Sequence, residues 1–195
     1  MKLKAGVLGA GHLGKIHLRL LAQSEKYELV GFYDSDANNA QQVSETFGYH
    51  RFDTMEELIA ACDVVDVVTP TLHHYECAEK IIKAGKHLFI EKPIATTVEE
   101  AEKMIALAEA YGVLGQVGHV ERFNPAFTAV KDLIHQPMFI EAHRLAEFNP
   151  RGTDVPVVLD LMIHDIDVIL SVVKSPVKHI AASSAMVISH SPDIT

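Results

Sequence analysis

"GVLGAGHLGKIH", residues 6–17, decides how the rest of the chain is read. Gly9, Gly11 and Gly14 have the G-x-G-x-x-G spacing, and the apolar run "LKAGVLG" (3–9) reads as a buried strand. A helical pattern follows through about Leu21. Strand, glycine turn and helix in that order are the context in which this spacing means phosphate binding. Gly9 permits the tight turn, Gly11 lets a pyrophosphate approach the backbone, and Gly14 lets helix and strand pack closely. The helix N-terminus offers N–H donors and the positive end of its dipole, so His12 and Leu13 belong with the cofactor. A plain glycine turn is the bland alternative. Against it, the second strand, "YELVGFYD" (27–34), ends in Asp34. That is the acid expected about twenty residues on to hold a ribose. Ser35 and Asp36 follow, with no adjacent Arg or Lys to receive a 2′-phosphate, which favours NAD over NADP.

Outward from this unit the alternation repeats. A helix runs to about Phe47, "YHRF" (49–52) is a short third strand, and Thr54 with Glu57 forms a capping box. "DVVDVVTP" (63–70) is a fourth strand, and its helix runs to about Ala84 with Gly85 at C′. "KHLFIEKP" (86–93) is a fifth strand, Thr97 and Glu100 make a second capping box, and after Gly112 "VLGQVGH" (113–119) is a sixth. Six strands alternating with helices predict an α/β fold: a doubly wound, mainly parallel Rossmann sheet over residues 1–120. The pattern then changes. Asn124 and Pro125 open a helix, "MFIEAHRLAEF" (138–148) and "VKHIAASSAMVISH" (177–190) are long alternating strands, and a helix lies between them. Residues 121–195 thus read as the start of an α+β domain with a mixed or antiparallel open sheet, incomplete as it stands.

The composition narrows the function. The 195 residues are 48% hydrophobic with a formal charge of −9, so no nucleic-acid or anionic-membrane partner is expected. Cys62 and Cys77 make no metal spacing and no disulfide framework, and read as core filling or the mark of a reducing compartment. No apolar run reaches membrane-spanning length, and "MKLKAGVLGA" is too short and glycine-broken for a signal peptide, so a cytoplasmic protein is expected. Twelve histidines invite a metal, yet no third ligand joins Asp160 and His164, and none is expected.

Ligands of such sheets lie beyond the carboxyl ends of the strands. There the sequence gathers Thr69, His73, His74, Glu91, Lys92, His119, Glu121, Arg122 and Asn124. Each has a plainer reading: Asn124 as an N-cap, Glu91 and Arg122 as surface ion pairs. Lys92, directly before Pro93, is the hardest to dismiss. "DLMIHDIDVIL" (160–170) then carries three aspartates and a histidine in an apolar helix. At about 100° per residue, Asp160, His164, Asp167 and Ser171 fall within roughly 60° of one another, while Asp165 points elsewhere. An unpaired buried carboxylate is costly, so this stripe pairs internally, lines a cleft, or both.

The glycine loop, "EKP" (91–93) and the D-x-x-x-H-x-x-D helix together resemble the Gfo/Idh/MocA oxidoreductases, over nearly the whole chain. The resemblance implies a Rossmann domain joined to an α/β domain with a large open sheet that mediates homo-oligomer contacts. It also implies NAD(P)-dependent oxidation or reduction of a sugar or cyclitol hydroxyl. It maps the catalytic lysine onto Lys92, and the acid and histidine onto Asp160 and His164. "GHVERFNPA" (118–126) is similar to a subgroup acting on nucleotide-activated amino sugars, including UDP-N-acetylglucosamine 3-dehydrogenases. On this reading His119, Arg122, Asn124 and Asp167 contact substrate, and Thr69, His74, Glu91 and Lys92 join the cofactor site. Two departures stand out: "DVPVVLD" lacks the usual glycine-rich approach and Met162 replaces a glycine, and the family's second domain continues well past Thr195. Two alternatives stay open: an NAD(H)-binding sensor or scaffold without turnover, and a reductase of a non-sugar carbonyl compound.

Overall fold

The computed structural model describes residues 2–145, 156–188, 190 and 192–195. Its contacts divide the chain into two compact units, residues 1–118 and 119–195.

The first unit follows the alternation in the sequence. Strand β1 (Leu3–Leu8) leads to α1 (His12–Ala22), β2 (Tyr27–Tyr33), α2 (Ala37–Phe47) and α3 (Met55–Ala61). Then come β3 (Val64–Val67), α4 (His74–Lys83), β4 (His87–Ile90), α5 (Val98–Tyr111) and β5 (Gly115–Val117). The five strands are parallel in the order β2-β1-β3-β4-β5. The chain therefore winds outward from β1 both ways, and the carboxyl ends of β1 and β3 lie side by side at the reversal. The expected third strand, 49–52, is only a parallel bridge of Arg51 to Phe32, held by Phe32 N–H to the His50 carbonyl and Phe52 N–H to the Phe32 carbonyl, both 2.9 Å. One bridge at the outer edge is too short to count as a strand, so the sheet has five strands where six were expected.

Alternation of side chains sends each strand's residues to opposite faces. On one face Leu8, Val65, Val67, Leu88 and Ile90 pack under α3, α4 and α5 through Leu58, Ile59, Cys62, Cys77, Ile81, Ile82 and Met104. Both cysteines are buried thiols and act as core filling. On the other face Val7 and Phe32 meet Leu18 of α1 and Ala40 and Val43 of α2. Each fully buried aliphatic side chain contributes about 1.5–3 kcal/mol. The register Val7–Asp66–Phe89 places a charged residue on the α1 face of this sheet.

In the second unit, α6 (Pro125–Val130) follows Asn124, and one wide π turn, Val158–Met162, runs into α7 (Ile163–Val172). The two long strands expected here are not formed over their described residues. Residues 138–145 have no strand, and 146–148 lie outside the described residues. In 177–190, where Ser189 is not described, the pairing is an isolated antiparallel bridge of Ala185 to Ile194. Met138, Phe139, Ile180 and Ile188 are mostly exposed. A strand is held by ladder hydrogen bonds to a neighbour, and among the described residues these segments have no such neighbour along their length.

Candidate active site

The glycine turn takes its shape from two close approaches. Gly9 has φ +93°, and a Cβ there would meet the Val68 carbonyl oxygen at 2.8 Å. A Cβ on Gly14 would overlap the Gly9 carbonyl oxygen. Gly11 differs, because a Cβ there would meet nothing within 4 Å. Protein packing does not require glycine at this position, whereas a pyrophosphate lying against the backbone does. Gly11 is also the N-cap of α1 and supplies no side-chain cap. The first N–H groups of α1 are thus left to an anion.

Asp34 follows β2 beside this turn. Its Oδ2 accepts from Ala10 N–H at 2.7 Å and from the Asn39 amide at 3.0 Å, and its Oδ1 accepts from Asp36 N–H at 2.8 Å. With one bond made, Oδ1 keeps capacity for a ribose hydroxyl. Asp36 caps α2 by accepting from Asn38 and Asn39 N–H. Gly9, Gly11, His12, Leu13, Asp34 and Thr69 line one cleft of about 690 Å³. Asn39, Met55, His73 and Glu76 line it too. Of these, Asn39 matters most, since its amide also donates to the Ala10 carbonyl at 3.1 Å and so ties α2 to the turn. No sequence motif announces it. The residues present fit a dinucleotide.

Three expected cofactor ligands, His74, Glu91 and Lys92, are not among the residues that line this cleft. His74 is 1% exposed, with Nδ1 2.9 Å from the Pro93 carbonyl oxygen and Nε2 2.9 Å from that of Thr69. Each ring nitrogen lies against a backbone carbonyl, one of them accepting its N–H, so the buried ring braces the loops and does not reach the cleft as a cofactor ligand. Glu91 is buried as well. Its Oε1 lies 3.4 Å from His17 Nε2 and its Oε2 accepts from Lys92 N–H at 3.2 Å. It serves the protein interior, where an exposed ion pair was the plain expectation. Lys92 is half-buried and joined to Pro93 by a cis peptide bond.

In the second unit Asp167 and Asp165 pair with different arginines. Arg122 grips Asp167 through Nε–Oδ2 at 2.7 Å and Nη2–Oδ1 at 2.6 Å. Asp167 is 8% exposed. The two expected substrate contacts therefore bind each other, because a buried carboxylate needs such a partner. His119 Nδ1 stands 3.7 Å from Asp167 Oδ1. Asp165, on another face, pairs the same way with Arg144 at 2.8 and 2.9 Å. Asn124 is an N-cap: its Oδ1 accepts from Ala126 N–H at 3.0 Å and its amide donates to Glu121 at 3.0 Å, so its polar atoms serve the loop and not a substrate. Asp160 sits in the π turn and His164 in the first turn of α7, both half-buried. Turns of this type recur at functional sites.

Comparison with known proteins agrees with this geometry. Residues 3–119 match the family model described as an oxidoreductase family with an NAD-binding Rossmann fold. The chain is 37% identical over 169 residues to a UDP-N-acetylglucosamine 3-dehydrogenase of Acidithiobacillus ferrooxidans, covering 86% of this chain and 53% of the relative. It is 35% identical over 131 residues to a glucose-6-phosphate 3-dehydrogenase of Bacillus subtilis, covering 67% of this chain and 37% of that one. The solved structure of the Acidithiobacillus enzyme superposes with a TM-score of 0.92 at 34% identity, over 99% of this chain and 64% of that one. The chain spans about half the length of the first of these relatives, and less of the second. With the family model covering more than half of its residues, the chain belongs to the Gfo/Idh/MocA oxidoreductases, built on an NAD-binding Rossmann fold.

Proposed function

We propose that residues 1–120 are the cofactor domain, and 121–195 the beginning of the substrate domain, of an NAD-dependent sugar oxidoreductase. The reaction is hydride transfer between nicotinamide and a secondary hydroxyl or carbonyl of a sugar, specifically a nucleotide-activated amino sugar. The observation that supports it most is the cradle at Gly11, where the absent Cβ faces open space beside an uncapped helix N-terminus and the carboxylate of Asp34. The likeness to a UDP-N-acetylglucosamine 3-dehydrogenase supports the substrate class.

When bound, NAD supplies the hydride acceptor. The backbone from Gly9 to Gly14 holds its phosphates, and Asp34 takes a ribose hydroxyl and repels a 2′-phosphate, so NAD is preferred to NADP. His164 is the general base that takes the hydroxyl proton, a role suited to imidazole near neutral pH. Asp160 orients that imidazole. The Lys92 ammonium stabilises negative charge developing on the substrate oxygen. His119 is retained as a substrate contact, while Arg122 and Asp167 hold the 119–124 loop to α7.

The test is a panel of nucleotide sugars with NAD, followed by NADH absorbance. UDP-N-acetylglucosamine is expected to give NADH, and His164→Asn to lower kcat by about a hundredfold or more with NAD affinity unchanged. Bound NAD without NADH from any sugar would refute the reading. A His164→Asn enzyme within a few-fold of wild type would move the base to Lys92.

A further inference from the structure

A buried cluster on the α1 face of the sheet has no part in the chemistry above. His17, three residues beyond Gly14 on α1, places Nδ1 2.8 Å from Asp66 Oδ2 and Nε2 3.4 Å from Glu91 Oε1. Asp66 enters from the middle of β3 and Glu91 follows β4. Side-chain exposure is 15% for His17 and 10% for each acid. The Phe89 ring lies tilted beside the imidazole, 6.0 Å between centroids. The site is closed tightly at Gly118, where a Cβ would come within 2.8 Å of Glu91 Oε1. Among the described residues, the charged groups against the imidazole are Asp66 from β3 and Glu91 after β4; Tyr27 from β2, Ala5 from β1 and Gln116 from β5 line the adjoining cavity.

With both acids ionised, an imidazole between them satisfies both only as the cation, with an N–H at each nitrogen; burial pushes the Asp66 carboxyl above its usual range, and the bond from His17 opposes that. Burial lowers the tendency of His17 to protonate, but its hydrogen bonds and charge contacts with Asp66 and Glu91 outweigh this and raise the pKa to about 9. Burying an ion group is expensive, and an apolar trio of similar volume fills such a space at least as well. The other oxygen of Glu91 accepts the backbone N–H of the next residue, Lys92, at 3.2 Å.

We propose that His17 is a positioning residue: it clamps Glu91, and Glu91 in turn fixes the backbone of Lys92, tying the lysine loop to the helix whose N-terminus forms the phosphate cradle. The catalytic meaning of the clamp rests on the function proposed for Lys92, whereas its existence does not.

The experiment uses the full chain and follows amide proton–nitrogen NMR through a pH titration. In the wild type, the Lys92 backbone amide is expected to titrate together with the His17 ring, with a midpoint of about 9. In His17→Gln that transition disappears. If His17→Gln does not fold, Glu91→Ala is read in its place: it removes both the acceptor of Lys92 N–H and the contact with His17, so the transition again disappears. A Lys92 amide that stays flat while His17 titrates, or one that titrates unchanged in either variant, overturns the proposal. With NAD and UDP-N-acetylglucosamine, His17→Gln is expected to lower kcat by about tenfold or more, leave KM for NAD within about twofold, and abolish the alkaline limb of the wild-type pH profile. Glu91→Gln is expected to retain more turnover than Glu91→Ala. A uniform loss of active protein with the profile's shape intact contradicts the clamp. A wild type that turns over no sugar refutes the proposed function alone, because the amide titration still decides the clamp.

Discussion

Gly11 and Gly14 belong to one motif but are glycine for different reasons, and substitution separates them. Gly14→Ala drives a methyl into the Gly9 carbonyl and is expected to destabilise the protein by about 1–3 kcal/mol in urea unfolding. Gly11→Ala meets open space at φ −66° and is expected to change stability by under about 1 kcal/mol. If the two variants are equally unstable, the cradle is an ordinary tight turn. The spacing of these glycines is local, so the sequence carries it. The Arg122–Asp167 grip is different: its partners are 45 residues apart, and only the fold reveals that two presumed substrate contacts satisfy one another. Asp167→Asn is expected to lose about 1.5–3 kcal/mol, measured by urea unfolding, and Arg122→Lys not to rescue the grip, since a lysine cannot form the two-pronged contact.

Helix ends are the elements that local chemistry specifies best. Thr54 and Glu57 form the reciprocal cap expected of them, at 3.2 Å in both directions, and Thr54→Ala is expected to cost about 1 kcal/mol in urea unfolding. The second cap is half as predicted. Thr97 accepts from Glu100 N–H at 3.2 Å, but Glu100 reaches back to Thr96 N–H at 3.0 Å instead of Thr97. Strands are less legible because pairing is not local. "YHRF" has the composition of a strand yet gains one bridge at the sheet edge, and 177–188 alternates well yet has one bridge, through Ala185. Within β3 the run "VVDV" hides Asp66 among apolar neighbours. A mid-strand aspartate signals that a buried partner exists, but only the strand order brings His17 and Glu91 to it.

At the scale of the whole molecule that cluster links stability to pH. A histidine whose folded pKa is about 9 against an ordinary 6.5 binds protons more tightly when folded. Its contribution is complete below about pH 6.5 and is lost as pH rises through about 9, on the order of 3 kcal/mol in all. Glu91 has the opposite sign. Burial pushes its carboxyl up, but bonds from His17 and from Lys92 N–H hold it below the usual value, so its contribution disappears as pH falls through that depressed pKa. Denaturation across this range is expected to show the alkaline loss in the wild type and not in His17→Gln. Every role proposed for this chain requires the amino-terminal unit to hold an adenine dinucleotide in the Gly11 cradle. Calorimetric titration of the intact chain with NAD and NADH tests that most directly. Saturable heat with both nucleotides is predicted, weaker with NADP and lost in Gly11→Val while its unfolding transition is retained. No heat with either nucleotide, or undiminished binding by Gly11→Val, would contradict it.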